Sequence, residues 1–161
     1  MVDEGSLSKN SLLRKLHGPS ITPSSVQISM DPPTVSPITS HVLDTALGCP
    51  AAGCPITLER RTISGSGDDG DDAGCPASSW TPLGAGATDD DGRLKTLLAP
   101  AHFIDPGTYR VTFDTSEYFA TSGQPVFYPE VSVVFVIEDG TEHYHIPLLL
   151  SPFGYSTYRG S

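Results

Sequence analysis

The chain has 161 residues, among them 16 Gly and 15 Pro, and a formal net charge of −10 at pH 7. This charge argues against a nucleic-acid partner, because binding phosphates requires a basic face. No stretch approaches the roughly 20 apolar residues that span a membrane, so the sequence predicts no membrane partner. The length fits one domain with a tail, and the many turn-forming residues without a long apolar helical pattern predict an all-β domain.

The N-terminal residues 1–35 differ in composition from the rest of the chain. They are rich in Ser, Pro and charge and show no sustained hydrophobic period, so we expect a disordered extension. Met30 lies just ahead of the denser region, residues 36–161, and an internal start there would make residues 1–29 dispensable for the fold.

The compartment is only weakly indicated. No apolar segment follows the basic residues of the extension, so the sequence predicts no secretory signal. Three cysteines, an odd number, indicate free thiols in a reducing compartment. We therefore expect a cytoplasmic or peroxisomal protein, although the terminal Arg-Gly-Ser does not match the Ser-Lys-Leu peroxisomal signal.

The first half of the dense region predicts three strands. Residues 38–46 and 56–62 are separated by a turn-forming segment rich in Gly, Pro and Cys. Residues 64–79 combine Gly with several Asp, and we expect a solvated acidic loop because like charges repel. A strand over residues 80–88 then ends at Asp89-Asp90-Asp91-Gly92, which places Arg93 directly after a tight turn.

The middle of the dense region predicts a strand followed by the only short helix. Residues 107–114 alternate apolar and polar side chains, which is typical of a half-buried strand. Thr115–Ser122 lacks this period, and an N-cap at Thr115 or Ser116 would begin a helix there.

The C-terminal part predicts three more strands. Residues 131–138 are the most apolar, and the turn at 138–141 predicts a hairpin to a return strand over residues 143–150. In that return strand the apolar residues share one face, and the other face carries His143, His145 and Pro147. With a last strand at residues 153–159, seven or eight strands and one helix predict a β-sandwich.

Two segments at opposite ends of the dense region resemble the signatures of the transthyretin-like proteins. One is Ser40-His41-Val42-Leu43-Asp44-Thr45-Ala46-Leu47-Gly48, and the other runs from Tyr144 to Tyr158. Three shorter matches fall between them in the expected order: Gly92-Arg93-Leu94, Gly107-Thr108-Tyr109-Arg110 and Tyr128-Pro129-Glu130-Val131. The resemblance implies two four-stranded antiparallel sheets with one short helix. It also implies a homotetramer whose active sites open into a channel at the dimer–dimer interface.

This family divides into thyroid-hormone carriers and 5-hydroxyisourate hydrolases, and the markers of the hydrolase branch are present. They are a His in the first strand, an Arg after the mid-chain turn, a His in the penultimate strand and a terminal Tyr-Arg-Gly-Ser. Here they are His41, Arg93, His145 and Tyr158-Arg159-Gly160-Ser161. The resemblance implies hydrolysis of 5-hydroxyisourate to 2-oxo-4-hydroxy-4-carboxy-5-ureidoimidazoline in urate degradation, without a metal or cofactor.

Opening a ring amide with water requires an activated water, support for the developing oxyanion and a clamp on the ring. An imidazole titrates near neutral pH and can take the proton of the water. The resemblance assigns water activation and proton transfer to His41 and His145, and which of them is the base stays open. Arg93 offers planar, permanently charged donors to carbonyl oxygens. The remaining substrate-binding positions are expected to shape the pocket wall: Tyr158, Arg159 and Ser161.

Each of these residues also has an ordinary explanation. A strand histidine is more often structural than catalytic, and an arginine after a turn is usually a solvated charge; their joint position in the family motifs favours the functional interpretation. We expect His143 to be a surface residue. The three strand histidines superficially suggest zinc, but no closing Cys or carboxylate motif accompanies them.

Two other functions compete with the hydrolase. One is a transthyretin-type module that carries a small aromatic ligand without chemistry, and the other is a structural interaction domain. The histidines, Arg93 and the terminal tetrapeptide favour the hydrolase. The acidic loop, longer than expected for the family, and the N-terminal extension are the two departures from its pattern.

Overall fold

The structure, a computed structural model, describes residues 34–63 and 78–160. The predictions for residues 1–33, for residues 64–77 of the acidic loop and for Ser161 lie outside the described residues. Thr34 and Val35, the last two residues of the predicted extension, are exposed and belong to no helix or strand. The helix within the described residues is too short to cross a membrane.

The described residues form nine strands and one helix. In chain order these are β1 (Ile38–Asp44), β2 (Cys49–Pro50), β3 (Pro55–Ile63), β4 (Ser78–Ala87), β5 (Arg93–Leu94), β6 (Gly107–Phe113), α1 (Thr115–Ser122), β7 (Val131–Ile137), β8 (Tyr144–Ser151) and β9 (Gly154–Thr157). One sheet has the order β2-β1-β8-β9 with β5 also pairing with β1, and the other has the order β4-β3-β6-β7. The predicted all-β sandwich with one short helix is confirmed. Strand β4 begins two residues earlier than expected, so Ser78 and Ser79 belong to it and not to the acidic loop.

The hydrophobic core contains the inward faces of both sheets. Tyr109, Val111 and Phe113 of β6 are buried together with the apolar residues of β8, as the alternation in both strands predicts. Burying each side chain of this size stabilises the fold by roughly 1.5–3 kcal/mol. The opposite face of β8, which carries His145, is therefore left for other contacts.

Helix α1 occupies the predicted range but begins with a different cap. Asp114, and neither Thr115 nor Ser116, is the N-cap, because its carboxylate accepts hydrogen bonds from the Glu117 backbone N–H at 2.9 Å and from the Ser116 hydroxyl at 2.7 Å. Thr115 is buried, and its hydroxyl donates to the Tyr128 carbonyl. The bond from the Glu117 N–H, with that of Ser116, also lowers the pKa of Asp114.

The predicted hairpin between the strands at 131–138 and 143–150 is wrong. Strand β7 pairs with β6, whereas β8 pairs with β1 and β9, so the turn carries the chain from one sheet to the other. Within the turn, Gly140 is buried and its carbonyl accepts a hydrogen bond from the Ile104 N–H at 2.9 Å. A side chain at Gly140 would overlap the Ile104 carbonyl, so the turn packs against the segment before β6.

Strands β1 and β8 run parallel, so the first sheet is mixed and not purely antiparallel. Their register places Thr39 opposite His145 and His41 opposite Pro147. This pairing brings the two long family signatures, which lie at opposite ends of the dense region, side by side in one sheet.

Candidate active site

Three predicted site residues, His41, Arg93 and His145, meet on the face of the first sheet that points away from the core. Strand β5 pairs with β1 so that Arg93 lies opposite His41. Both neighbours of His41 along β1, Ser40 and Val42, are buried, whereas His41 itself is half-buried. Because side chains alternate along a strand, His41 projects to the same outer face as Thr39, the cross-strand partner of His145.

The turn before Arg93 holds that residue against β1. The Asp89 carboxylate accepts hydrogen bonds from the backbone N–H of Arg93 at 2.8 Å and of Asp91 at 3.1 Å. Gly92 has a φ of +71°, and a side chain there would overlap the Val42 carbonyl. The Gly92 carbonyl in turn accepts the Val42 N–H at 2.8 Å. The predicted tight turn is thus present, and it leaves the Arg93 side chain exposed beside His41.

His145 is held from two sides. The Thr39 hydroxyl oxygen lies 2.9 Å from its Nδ1, and Thr39 is itself buried. On the other side, Gly160 forms an isolated bridge with His145 and donates its N–H to the His145 carbonyl at 2.9 Å. A Cβ at position 160 would overlap Cδ2 of the imidazole and lie 3.1 Å from its Cγ. The glycine therefore allows the tail to lie directly on the ring.

His143 is exposed, as expected, but it is also part of this arrangement. Its Nε2 lies 3.1 Å from the same Thr39 hydroxyl that contacts His145. The sequence interpretation missed this contact, although the spacing of His143 and His145 by two residues, which places them on one strand face, was a usable signal.

A surface depression of about 280 Å³ lies on this face. Its lining residues are Val35, Thr39, Ser40, Arg93, Lys95, His143 and His145, and His41 is not among them. Arg93 brings a positive charge to the depression, whereas the Lys95 ammonium lies 3.7 Å from the Asp89 carboxylate. Within the described ranges, no group of three or more His, Cys, Asp or Glu is arranged to hold a metal ion. A polar or anionic ring fits this chemistry.

The pKa of both site histidines is lowered from the ordinary value of 6.5. For His41 the main cause is burial, followed by the Arg93 guanidinium; a hydrogen bond to the Asp91 backbone acts in the opposite direction. For His145 the causes are burial, then Arg93, then the neighbouring histidines. Each imidazole is therefore neutral at pH 7, and a neutral imidazole can accept a proton.

The C-terminal residues are divided between two places. Tyr158 and Arg159 border a second depression of about 260 Å³ that includes residues of β7 and β8, away from Arg93. The Arg159 guanidinium pairs with Glu142 at 2.6 Å and lies 5.2 Å from the centre of the Tyr144 ring. Within one chain, neither Tyr158 nor Arg159 lines the histidine depression, and of the tail residues that the structure describes, Gly160 contacts a site histidine.

Comparisons with known proteins agree with this fold. Residues 38–160 match a family model described as the HIUase/Transthyretin family. Mouse 5-hydroxyisourate hydrolase is 46% identical over 126 residues, which cover 78% of this chain and 96% of the relative. The structure of Klebsiella pneumoniae 5-hydroxyisourate hydrolase aligns with a TM-score of 0.59 and 31% identity over 77% of this chain and 97% of its own.

Sea bream transthyretin in complex with thyroxine aligns equally well. Its TM-score is 0.63 at 32% identity, over 78% of this chain and 95% of that one. The backbone therefore does not distinguish a hydrolase from a hormone carrier, because both types of structure fit it to the same degree. The side chains in the depression carry the distinction.

Proposed function

The chain belongs to the HIUase/transthyretin family, and we propose that it hydrolyses 5-hydroxyisourate to 2-oxo-4-hydroxy-4-carboxy-5-ureidoimidazoline in urate degradation. The observation that carries the proposal is the meeting of His41, Arg93 and His145 on one solvent-accessible sheet face. A hydrolase needs a base and a charged clamp within reach of one substrate, and these three residues supply both. The 46% identity to mouse 5-hydroxyisourate hydrolase supports the same assignment.

The two imidazoles provide the acid–base chemistry. Because the pKa of each is lowered, mainly by burial, each is ready to accept the proton of an attacking water at neutral pH. General-base assistance of this type contributes roughly 10²–10⁴-fold to the rate. When the ring C–N bond breaks, the protonated imidazole returns the proton to the departing nitrogen.

Arg93 provides the charge. Its backbone is fixed by Asp89 and Gly92, and its guanidinium lies near enough to both histidines to lower their pKa. The planar guanidinium donates to carbonyl oxygens of the substrate and stabilises the oxyanion that forms at the attacked carbon. A donor of this kind contributes on the order of 10²–10³-fold.

The assembly is also a proposal. We expect a homotetramer with its sites at the dimer–dimer interface, where neighbouring chains would complete the walls that Tyr158 and Arg159 do not form within one chain. Val134 and Val136 on the sheet-edge strand β7 are exposed, at 51% and 59%, which supports association. Light scattering should then give about four times the 17.0 kDa of one chain.

The activity is tested directly with freshly made substrate. Urate oxidase converts urate to 5-hydroxyisourate, and the ultraviolet absorbance of this compound is followed with and without the protein. Decay no faster than the spontaneous rate would contradict the proposal. His41→Ala, Arg93→Ala and His145→Ala should each lower the rate by at least about 10²-fold, whereas His102→Ala, an exposed position outside the depression, is the control.

The carrier alternative is examined with the same preparation. A protein that binds thyroxine tightly in a calorimetric titration but leaves the decay of 5-hydroxyisourate unchanged would be a hormone carrier of the sea bream type. Substrate decay that depends on the three site residues excludes it.

A further inference from the structure

The buried Thr39 hydroxyl joins two imidazoles. Its oxygen lies 2.9 Å from Nδ1 of His145 and 3.1 Å from Nε2 of His143. A hydroxyl has one proton to donate, so it can donate to only one of the two rings and must accept from the other. The tautomers of the two histidines are therefore coupled through Thr39.

Two arrangements satisfy these contacts. In the first, Nδ1–H of His145 donates to Thr39, and Thr39 donates to Nε2 of His143; the lone pair of His145 is then on its Nε2. In the second, both bonds are reversed and Nε2 of His145 carries a proton. Only the first arrangement lets the Nε2 atom of His145 accept a proton. In the second arrangement Nε2 already carries a proton, and the lone pair on Nδ1 is occupied by the Thr39 hydroxyl. The first arrangement also keeps both hydrogen bonds when His145 becomes protonated.

We propose that Thr39 and His143 are positioning residues that hold His145 as the general base, with its free lone pair on Nε2. The inference rests on the proposed function, and it answers which histidine takes the proton of water. Thr39 is buried and holds the ring, and His143 makes the second contact of the Thr39 hydroxyl. His41 is hydrogen-bonded to the Asp91 backbone instead of to a hydroxyl that it shares with a second imidazole.

The proton count balances over one turnover. As the water oxygen bonds to the attacked carbon, a water proton moves to Nε2 of His145. The imidazolium that forms keeps its Nδ1–H bond to Thr39, and Thr39 keeps its bond to Nε2 of His143. When the ring C–N bond breaks, His145 gives its Nε2 proton to the departing nitrogen and returns to its neutral Nδ1–H form. The second proton of the attacking water leaves with the carboxyl product, which releases it to solvent.

The first test separates the tautomer from the reaction. Nitrogen-15 NMR of the full chain at neutral pH should show His145 protonated on Nδ1, and Thr39→Val should shift it toward the Nε2–H form. The same variant should lower kcat at least about tenfold with KM little changed, since the wrong histidine tautomer alone can cost several orders of magnitude. Thr39→Ser keeps the hydroxyl and should restore both, while Thr57→Val, an exposed residue of β3 in the other sheet, is the control.

The second test concerns His143. His143→Leu removes the acceptor of the Thr39 hydroxyl, so it should raise the Nε2–H fraction of His145 and lower kcat with KM little changed; His102→Leu is the matched control. Three results would each overturn the inference: a wild-type rate in Thr39→Val, a reduced rate with unchanged His145 nitrogen shifts, or a wild-type tautomer and rate in His143→Leu. An unmodified chain that does not hydrolyse 5-hydroxyisourate would defeat the proposed function instead, and the NMR measurement would still decide whether Thr39 sets the tautomer.

Discussion

Replacing Gly160 with alanine should separate catalysis from stability in this protein. Gly160 lies on the imidazole of His145, and an added methyl group would overlap Cδ2 and lie 3.1 Å from both Cβ and Cγ. At least one of the two must move, and the ring is held on its other side by Thr39. The substitution therefore displaces the imidazole, the tail, or both.

The two effects differ in size. Gly160 contributes one backbone hydrogen bond, its N–H to the His145 carbonyl at 2.9 Å, and the net value of such a bond is about 0.5–1.5 kcal/mol. The free energy of unfolding should fall by no more than that amount. A displacement of about 1 Å in a catalytic group, in contrast, can lower the rate roughly 10²-fold, which corresponds to about 2.7 kcal/mol in the activation barrier.

The measurement compares Gly160→Ala with Gly154→Ala. At Gly154 an added Cβ would meet only the Ser151 hydroxyl oxygen, at 3.7 Å, so the control should keep both rate and stability. We expect kcat/KM for 5-hydroxyisourate to fall about 10²-fold in Gly160→Ala, with the urea midpoint changed only slightly. A variant with full activity and an undisturbed His145 NMR signal would refute the view that the tail positions the ring.

Four further predictions concern charge and burial. Burial and the Arg93 guanidinium hold the pKa of His41 and His145 below 6.5. We therefore expect kcat/KM to be constant near neutral pH and to fall when the pH is lowered below 6.5. A rate that rises on acidification would contradict the base role. The same histidines bind fewer protons when folded than when unfolded in that range, so their contribution to the free energy of unfolding should also fall on acidification. Arg93→Gln should raise the pKa of both imidazoles toward 6.5 in an NMR titration, and unchanged values would show that the guanidinium does not act on them. Asp44→Ala should lower the free energy of unfolding by about 2–4 kcal/mol. The reason is that this buried carboxylate accepts hydrogen bonds from two backbone N–H groups and from the Tyr118 hydroxyl. A change below about 0.5 kcal/mol in urea unfolding would argue against that network.

Local patterns in the sequence were sufficient to predict how two of the site residues are presented. Strand alternation placed His145 on the outer face of its strand, because a period of two is fixed by backbone geometry. The Asp-rich turn ending in glycine predicted the position of Arg93, since only the residues of the turn itself determine that conformation. His41 had no such local signal and was identified through the family resemblance.

Features that depend on distant partners were not predictable from local patterns. The turn at 138–141 was recognised, but a turn signal does not say whether the strands it joins share a sheet; here the contact between Gly140 and Ile104 directs β8 into the other sheet. The Thr39–His143 contact likewise spans 104 residues along the chain and exists only because β1 and β8 are parallel neighbours. The N-cap is Asp114 and not the predicted Thr115 or Ser116 for a similar reason, because the Thr115 hydroxyl donates to the distant Tyr128 carbonyl.

The parallel pairing of β1 with β8 has a consequence for synthesis on the ribosome. Thr39 and His145 are separated by 106 residues, which a ribosome adds in roughly 5–20 s at 5–20 residues per second. During that time the edge of β1 that will receive β8 has no partner within the nascent domain, and an uncovered strand edge invites pairing with other chains. Chaperone protection would be needed most over this interval, and a chain interrupted before β8 would possess His41 and Arg93 but no complete site.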